Sequence, residues 1–135
     1  MSEIEAYLDS VKLKLVTSPI VEQYMISRER TTATDGYFRV QIELVSGDFL
    51  ELTEYFVRIR QDIETVDYRY QWMDSTKTHL RRRWDNSPHH PEVSTYPHHL
   101  HLGREDHVIA GQSLNMNQVL DVIEALIIQS DREQK

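Results

Sequence analysis

A chain of 135 residues is long enough to bury one hydrophobic core and reads as a single domain over residues 1–135. Its apolar fraction of 39% beside 27% charged residues excludes a disordered chain, and no apolar run approaches the roughly 18 residues of a membrane span. The absence of cysteine excludes disulfides, thiolate metal sites and cysteine nucleophiles, while a net charge of −7 argues against a molecule that grips nucleic acid with its whole surface.

The start, Met1-Ser2-Glu3-Ile4-Glu5, is acidic and lacks the basic and apolar regions of a secretory signal, so a cytoplasmic location is expected. It then reads as a helix. Ser2-x-x-Glu5 has capping-box spacing, and Ile4, Leu8, Val11 and Leu15 recur on one helical face. Ser18-Pro19 ends the element, because the residue before a proline is pushed out of the helical region.

Extended segments follow. Ile20–Ser27 alternates roughly, with Ile20, Tyr24 and Ile26 on one side. From Phe38 to Leu44 the alternation is strict, with Phe38, Val40, Ile42 and Leu44 inward. Ser46-Gly47-Asp48 is a tight turn into Phe49–Ile59, so these two strands are expected to form a hairpin. The inward set of the second strand switches phase near Tyr55-Phe56-Val57 on this reading, a sign of a bulge. Val66, Tyr68, Tyr70 and Trp72 share the next inward face, as core packing rather than a base-stacking platform. In His79–Trp84 the residues Leu80, Arg82 and Trp84 oppose His79, Arg81 and Arg83, so of the three arginines only Arg81 and Arg83 point together.

Five strands with short links imply an antiparallel meander, since parallel strands need long crossovers. A second helix is expected from Asn115, where Asn115-x-x-Gln118 repeats the capping spacing and Met116, Val119, Leu120, Ile123, Leu126 and Ile127 form a stripe. The expectation is an α+β fold, an antiparallel sheet of about five strands with the N-terminal and C-terminal helices packed on one face.

Chemistry concentrates in one segment. All seven histidines fall within residues 77–107, where five basic side chains stand against four acidic ones. Between Trp84 and His101 there are five histidines and three prolines, and prolines remove freedom from the unfolded chain, so this loop should hold one shape. Three readings stand side by side. Two histidines that exchange protons near neutral pH could move the protons of a phosphodiester cleavage, with Arg83 or Arg81 stabilising charge on phosphorus, as in a metal-independent ribonuclease. Alternatively, His99-x-His101 on an extended backbone places both imidazoles on one face, suited to zinc or another divalent transition metal, with Asp85, His89 or His90 completing the shell of a metal-dependent hydrolase. The third reading is structural: His98, Leu100 and Leu102 share a face, and Asp85-Asn86 and Ser87-Pro88 are ordinary turn formers, as in a noncatalytic interaction module.

The run Arg83-Trp84-Asp85-Asn86-x-Pro88-His89-His90-Pro91, followed by Tyr96-Pro97-His98-His99-x-His101 and a short C-terminal helix, resembles the TumE family. Its members are toxin components of prokaryotic toxin–antitoxin pairs. The resemblance implies a small toxin held inactive by a small cognate antitoxin encoded nearby, inhibiting growth through RNA or translation. The expectation is therefore the toxin of a type II pair acting on RNA through histidine acid–base chemistry, with no membrane partner and no required cofactor. The resemblance carries over Arg83, Asp85, Asn86, His89, His90, His98, His99 and His101 as site residues.

Overall fold

A computed structural model describes residues 2–134. The elements run α1 (Glu3–Thr17), β1 (Val21–Thr31), β2 (Asp35–Leu44), β3 (Phe49–Ile59), β4 (Asp62–Met73), β5 (Leu80–Asp85), β6 (His99–Leu102), β7 (Val108–Ala110) and α2 (Met116–Glu133). The seven strands form one sheet in sequence order, every neighbouring pair antiparallel. The meander expected from the pattern is therefore present and longer than five strands. The additional pair, β6 and β7, is drawn from the histidine segment and the turn beyond it.

The helices form where their caps and stripes lie. The Ser2 hydroxyl accepts from the Glu5 N–H at 3.1 Å, and α1 buries Ile4, Leu8, Val11 and Leu15. At α2 both halves of the capping box form, Asn115 accepting from the Gln118 N–H and Gln118 from the Asn115 N–H, each at 2.8 Å. The buried residues of α2 are Met116, Val119, Leu120 and Ile123, with Leu126 and Ile127 packed against the core's margin. Both stripes join one hydrophobic cluster with Phe38, Val40, Ile42, Leu50, Leu52, Tyr70, Trp84 and Leu100. At ~1.5–3 kcal/mol for each large apolar side chain removed from water, this cluster is the main source of stability.

Between β2 and β3 the turn depends on Gly47, whose φ of +95° is a region that only glycine enters without cost. The expected phase switch in β3 does not occur. Leu50, Leu52, Glu54 and Phe56 all point inward, because Glu54 occupies an apolar position and is 1% exposed. Its carboxylate accepts from the Tyr7 hydroxyl, from the Thr65 hydroxyl at 2.6 Å and from the Met116 N–H at 3.3 Å. The partners thus come from α1, β4 and the first turn of α2, a favourable place for negative charge. The irregularity sits on the neighbouring strand: Tyr55 opposes Asp67 and Phe56 opposes Thr65, leaving Val66 as the extra residue of a bulge. That turns Val66 outward, away from Tyr68, Tyr70 and Trp72, which are buried as expected.

A second bulge decides which arginines face the same way. Trp72 opposes Arg82 and Met73 opposes Leu80, so Arg81 is the unpaired residue between them. Arg81 pairs with Asp48, whereas Arg83 enters a different network altogether. Contrary to the alternation reading, Arg81 and Arg83 do not act as a pair. Among the described residues no helix is long and apolar enough to cross a membrane.

Candidate functional site

The site lies on the sheet face opposite the helices, and strand register places it there. Trp84 opposes Leu100, and both join the helix-side core, so their neighbours Arg83, Asp85, His99 and His101 must project from the other face. Arg83 stands directly across from His101, and Asp85 across from His99. The segment between β5 and β6 folds back over these four residues through successive turns, with His89 N–H donating to the Ser87 carbonyl and Val93 N–H to the His90 carbonyl. This return brings the His90 ring edge-on to both others, its centroid 4.8 Å from that of His99 and 5.5 Å from that of His101. The His99 and His101 rings are themselves 4.9 Å apart.

Asp85 is the charged centre of the group. One oxygen accepts from the Ser87 N–H at 3.1 Å and the Ser87 hydroxyl at 2.8 Å; the other accepts from Arg83 Nε at 3.1 Å. Burial alone would raise its pKa, but the two Ser87 hydrogen bonds, with His99 and Arg83 beside them, hold the carboxyl below the usual aspartate value. Arg83 donates end-on to Glu105 through two parallel bonds of 2.7 and 2.6 Å, the geometry in which a guanidinium also receives a phosphate. It also reaches Gln71 and the Nε2 of His101, each at 3.3 Å.

Each clustered histidine has its Nδ1 against an oxygen. His99 Nδ1 is 2.9 Å from the Pro97 carbonyl, His101 Nδ1 is 2.8 Å from the Glu105 carbonyl, and His90 Nδ1 is 3.1 Å from the Glu92 carboxylate. Carbonyls and carboxylates only accept, so the proton sits on Nδ1 and the neutral ring carries its lone pair on Nε2. Burial pushes His101 below the usual imidazole value, and the Arg83 guanidinium acts in the same direction against the Glu105 carbonyl. The buried Nε2 of His99 lies 2.8 Å from an Asp85 oxygen, yet that contact is off-axis and forms no hydrogen bond.

Arg83, Asp85, His90 and His101 line an open cleft of about 580 Å³, together with Tyr37, Tyr55 and Arg69. Asn86 and His89 also border this cleft, and His98 does not. His89 is exposed at the cleft margin. Asn86 is committed to the backbone, its amide donating to the Val66 carbonyl at 2.7 Å and accepting from the Tyr68 N–H at 3.1 Å, which seals the bulge in β4. His98 turns to the helix side, where its Nδ1 is 2.9 Å from the Tyr68 hydroxyl and its ring stacks on that residue at 5.8 Å.

Several supports escaped the sequence reading: Ser87, Glu92 and Glu105, together with Thr95 and Gly111, which hold the start of β6. The Thr95 hydroxyl donates to the His98 carbonyl at 2.6 Å and accepts from the Gly111 N–H at 3.0 Å. A usable signal existed for Glu105. Gly103, at φ +79°, lies in a turn sequence between two extended stretches, and a hairpin there returns the chain beside His101.

Neither the curated proteins nor the solved structures contain a match to this chain. The family model described as toxin TumE matches residues 11–131, from within α1 through most of α2 and including every residue of the site. With nearly its whole length covered by that match, the chain belongs to the TumE toxin family.

Proposed function

We propose that this protein is the growth-inhibiting member of a type II toxin–antitoxin pair and that it acts on RNA, cleaving a phosphodiester by histidine acid–base chemistry. Membership of a toxin family implies an antitoxin partner in general, and a small protein encoded nearby is the expected one. The observation that carries the chemical reading is the meeting of His90, His101 and Arg83 at one cleft, the two rings 5.5 Å apart and the guanidinium 3.3 Å from His101 Nε2. His101, kept neutral by burial, takes the proton of a ribose 2′-hydroxyl as its oxygen attacks phosphorus. His90 acts in its imidazolium form: with Nδ1–H held by Glu92, it gives its Nε2 proton to the departing 5′-oxygen, and its side chain is 28% exposed. A new O2′–P bond forms and the P–O5′ bond breaks. Arg83 stabilises the charge on the phosphoryl oxygens, which take the place of the Glu105 carboxylate on the guanidinium; Glu105 is 68% exposed and free to swing away.

Expression without the neighbouring antitoxin should slow bacterial growth, and His90→Ala should relieve that effect at an unchanged melting temperature. Loss of a proton carrier costs about 10²–10⁴-fold in rate, while a partly exposed side chain contributes little to stability. His99→Ala is a poorer test, because its side chain is 1% exposed and its removal leaves a cavity. A wild-type protein with no effect on growth at any expression level and no cleavage of RNA in vitro would overturn the reading.

A further inference from the structure

We propose that the Nε2 atoms of His90, His99 and His101 form a binding site for one divalent transition ion of the zinc class. One ring nitrogen from each of the three lies within 4.8 Å of the others. Their Nδ1 atoms are occupied by the Glu92 carboxylate and the Pro97 and Glu105 carbonyls, which is how metal-binding histidines are oriented: the proton is held on one nitrogen and the lone pair of the other is aimed inward. Three imidazoles suit zinc, and three protein ligands leave a fourth position for water or substrate.

An independent observation concerns His99. Its Nε2 is buried, has no hydrogen-bond partner, and lies off-axis 2.8 Å from an Asp85 oxygen. A buried polar atom without a partner costs about 1–3 kcal/mol, so it needs a reason. Two atoms bound to the same tetrahedral zinc at ~2.0–2.1 Å stand roughly 3.3 Å apart. Histidine nitrogens up to 4.8 Å apart must then close by at most roughly 1.5 Å, a movement open to His90, the ligand carried by the loop. Arg83 donates to His101 Nε2 and would yield that atom to the ion, keeping Glu105 and Asp85 as its partners. Asp85 supplies adjacent negative charge. His79, His89 and His107 are exposed, lie outside the cluster and serve as internal controls.

Binding does not depend on the RNA-directed reading; only the ion's part in catalysis rests on that reading. With an ion bound, the Nε2 atoms of His90, His99 and His101 would be ligands rather than proton carriers, and the chemistry the ion would supply is Lewis-acid polarisation and an activated water.

Untagged, chelator-stripped protein should be titrated with zinc by calorimetry and with cobalt by visible absorption. The expected result is one ion per chain, a tetrahedral cobalt spectrum and a higher melting temperature with zinc. His90→Ala and His101→Gln should each weaken binding by more than ~100-fold, beyond the loss seen for residues that merely orient ligands. His89→Ala and His107→Ala should leave it unchanged. His90→Ala keeps the test valid even where changes to buried ligands impair folding. Absence of stoichiometric binding, or binding that survives loss of His90 and disappears with His89 or His107, would overturn the proposal. Zinc bound as described by a protein that neither slows growth nor cleaves RNA would leave the metal site standing and remove the RNA reading.

Discussion

Replacing Asp85 by asparagine keeps the shape of a 6%-exposed side chain while deleting the charge on which Arg83, Ser87 and His99 converge. Breaking a buried ion pair by removing one partner costs about 3–5 kcal/mol. Two features reduce that figure here. Arg83 retains its two bonds to Glu105, and the asparagine oxygen can still accept from Ser87. Against them, the new amide must either face Arg83 donor to donor or surrender the Ser87 bonds. The expected loss is therefore about 2–3 kcal/mol at pH 7. With an unfolding entropy of roughly 2.1 cal/mol/K per residue, it lowers the melting temperature by about 7–11 °C.

The pH dependence supplies a second reading of the same quantity. Asp85 is held below the usual aspartate value, so its contribution is fully present above that value and is lost as pH falls through the lower folded pKa. The stability gap between wild type and Asp85→Asn should accordingly be smaller at pH 3 than anywhere between pH 5 and pH 7. Urea unfolding across that range, with chelator present throughout, measures it directly. A variant within 0.5 kcal/mol of wild type at pH 7, or a gap undiminished at pH 3, would refute the assignment of Asp85 as the charged centre of the site.

Gly36→Ala should destabilise the protein by about 1–3 kcal/mol, since an added Cβ would lie 2.4 Å from the ring of Phe56, a fully buried core residue. An unchanged melting curve would show that the sheet has more room there than the packing implies. Asn86→Ala should cost about 1–2 kcal/mol by leaving the Tyr68 N–H and the Val66 carbonyl without their partner, and growth inhibition should fall only as far as stability does. Lost toxicity at an unchanged melting temperature would instead make Asn86 part of the chemistry.

Periodicity and capping are local properties, and what depends on them was legible in the sequence. The buried residues of α1 are the four named from spacing, and the strict alternation from Phe38 to Leu44 marks the inward face of β2. The contrast between His98 and its neighbours was legible for the same reason, because adjacent residues on a strand point to opposite faces. Register and loop paths are different in kind. Glu54 is a charged residue at an inward position, and only its partners from α1, β4 and α2, all distant in sequence, make a buried carboxylate tolerable. A one-residue bulge moves Arg81 away from Arg83, and nothing local to those arginines announces it. His99 and His101 were expected to act together from their spacing alone. The choice of His90 over His89 as the third member, and of Glu105 as the partner of Arg83, was made by the fold. The loop after β5 and the hairpin after β6 bring those residues onto one sheet face, and which side chains meet there depends on the path of those connections, which no local periodicity specifies.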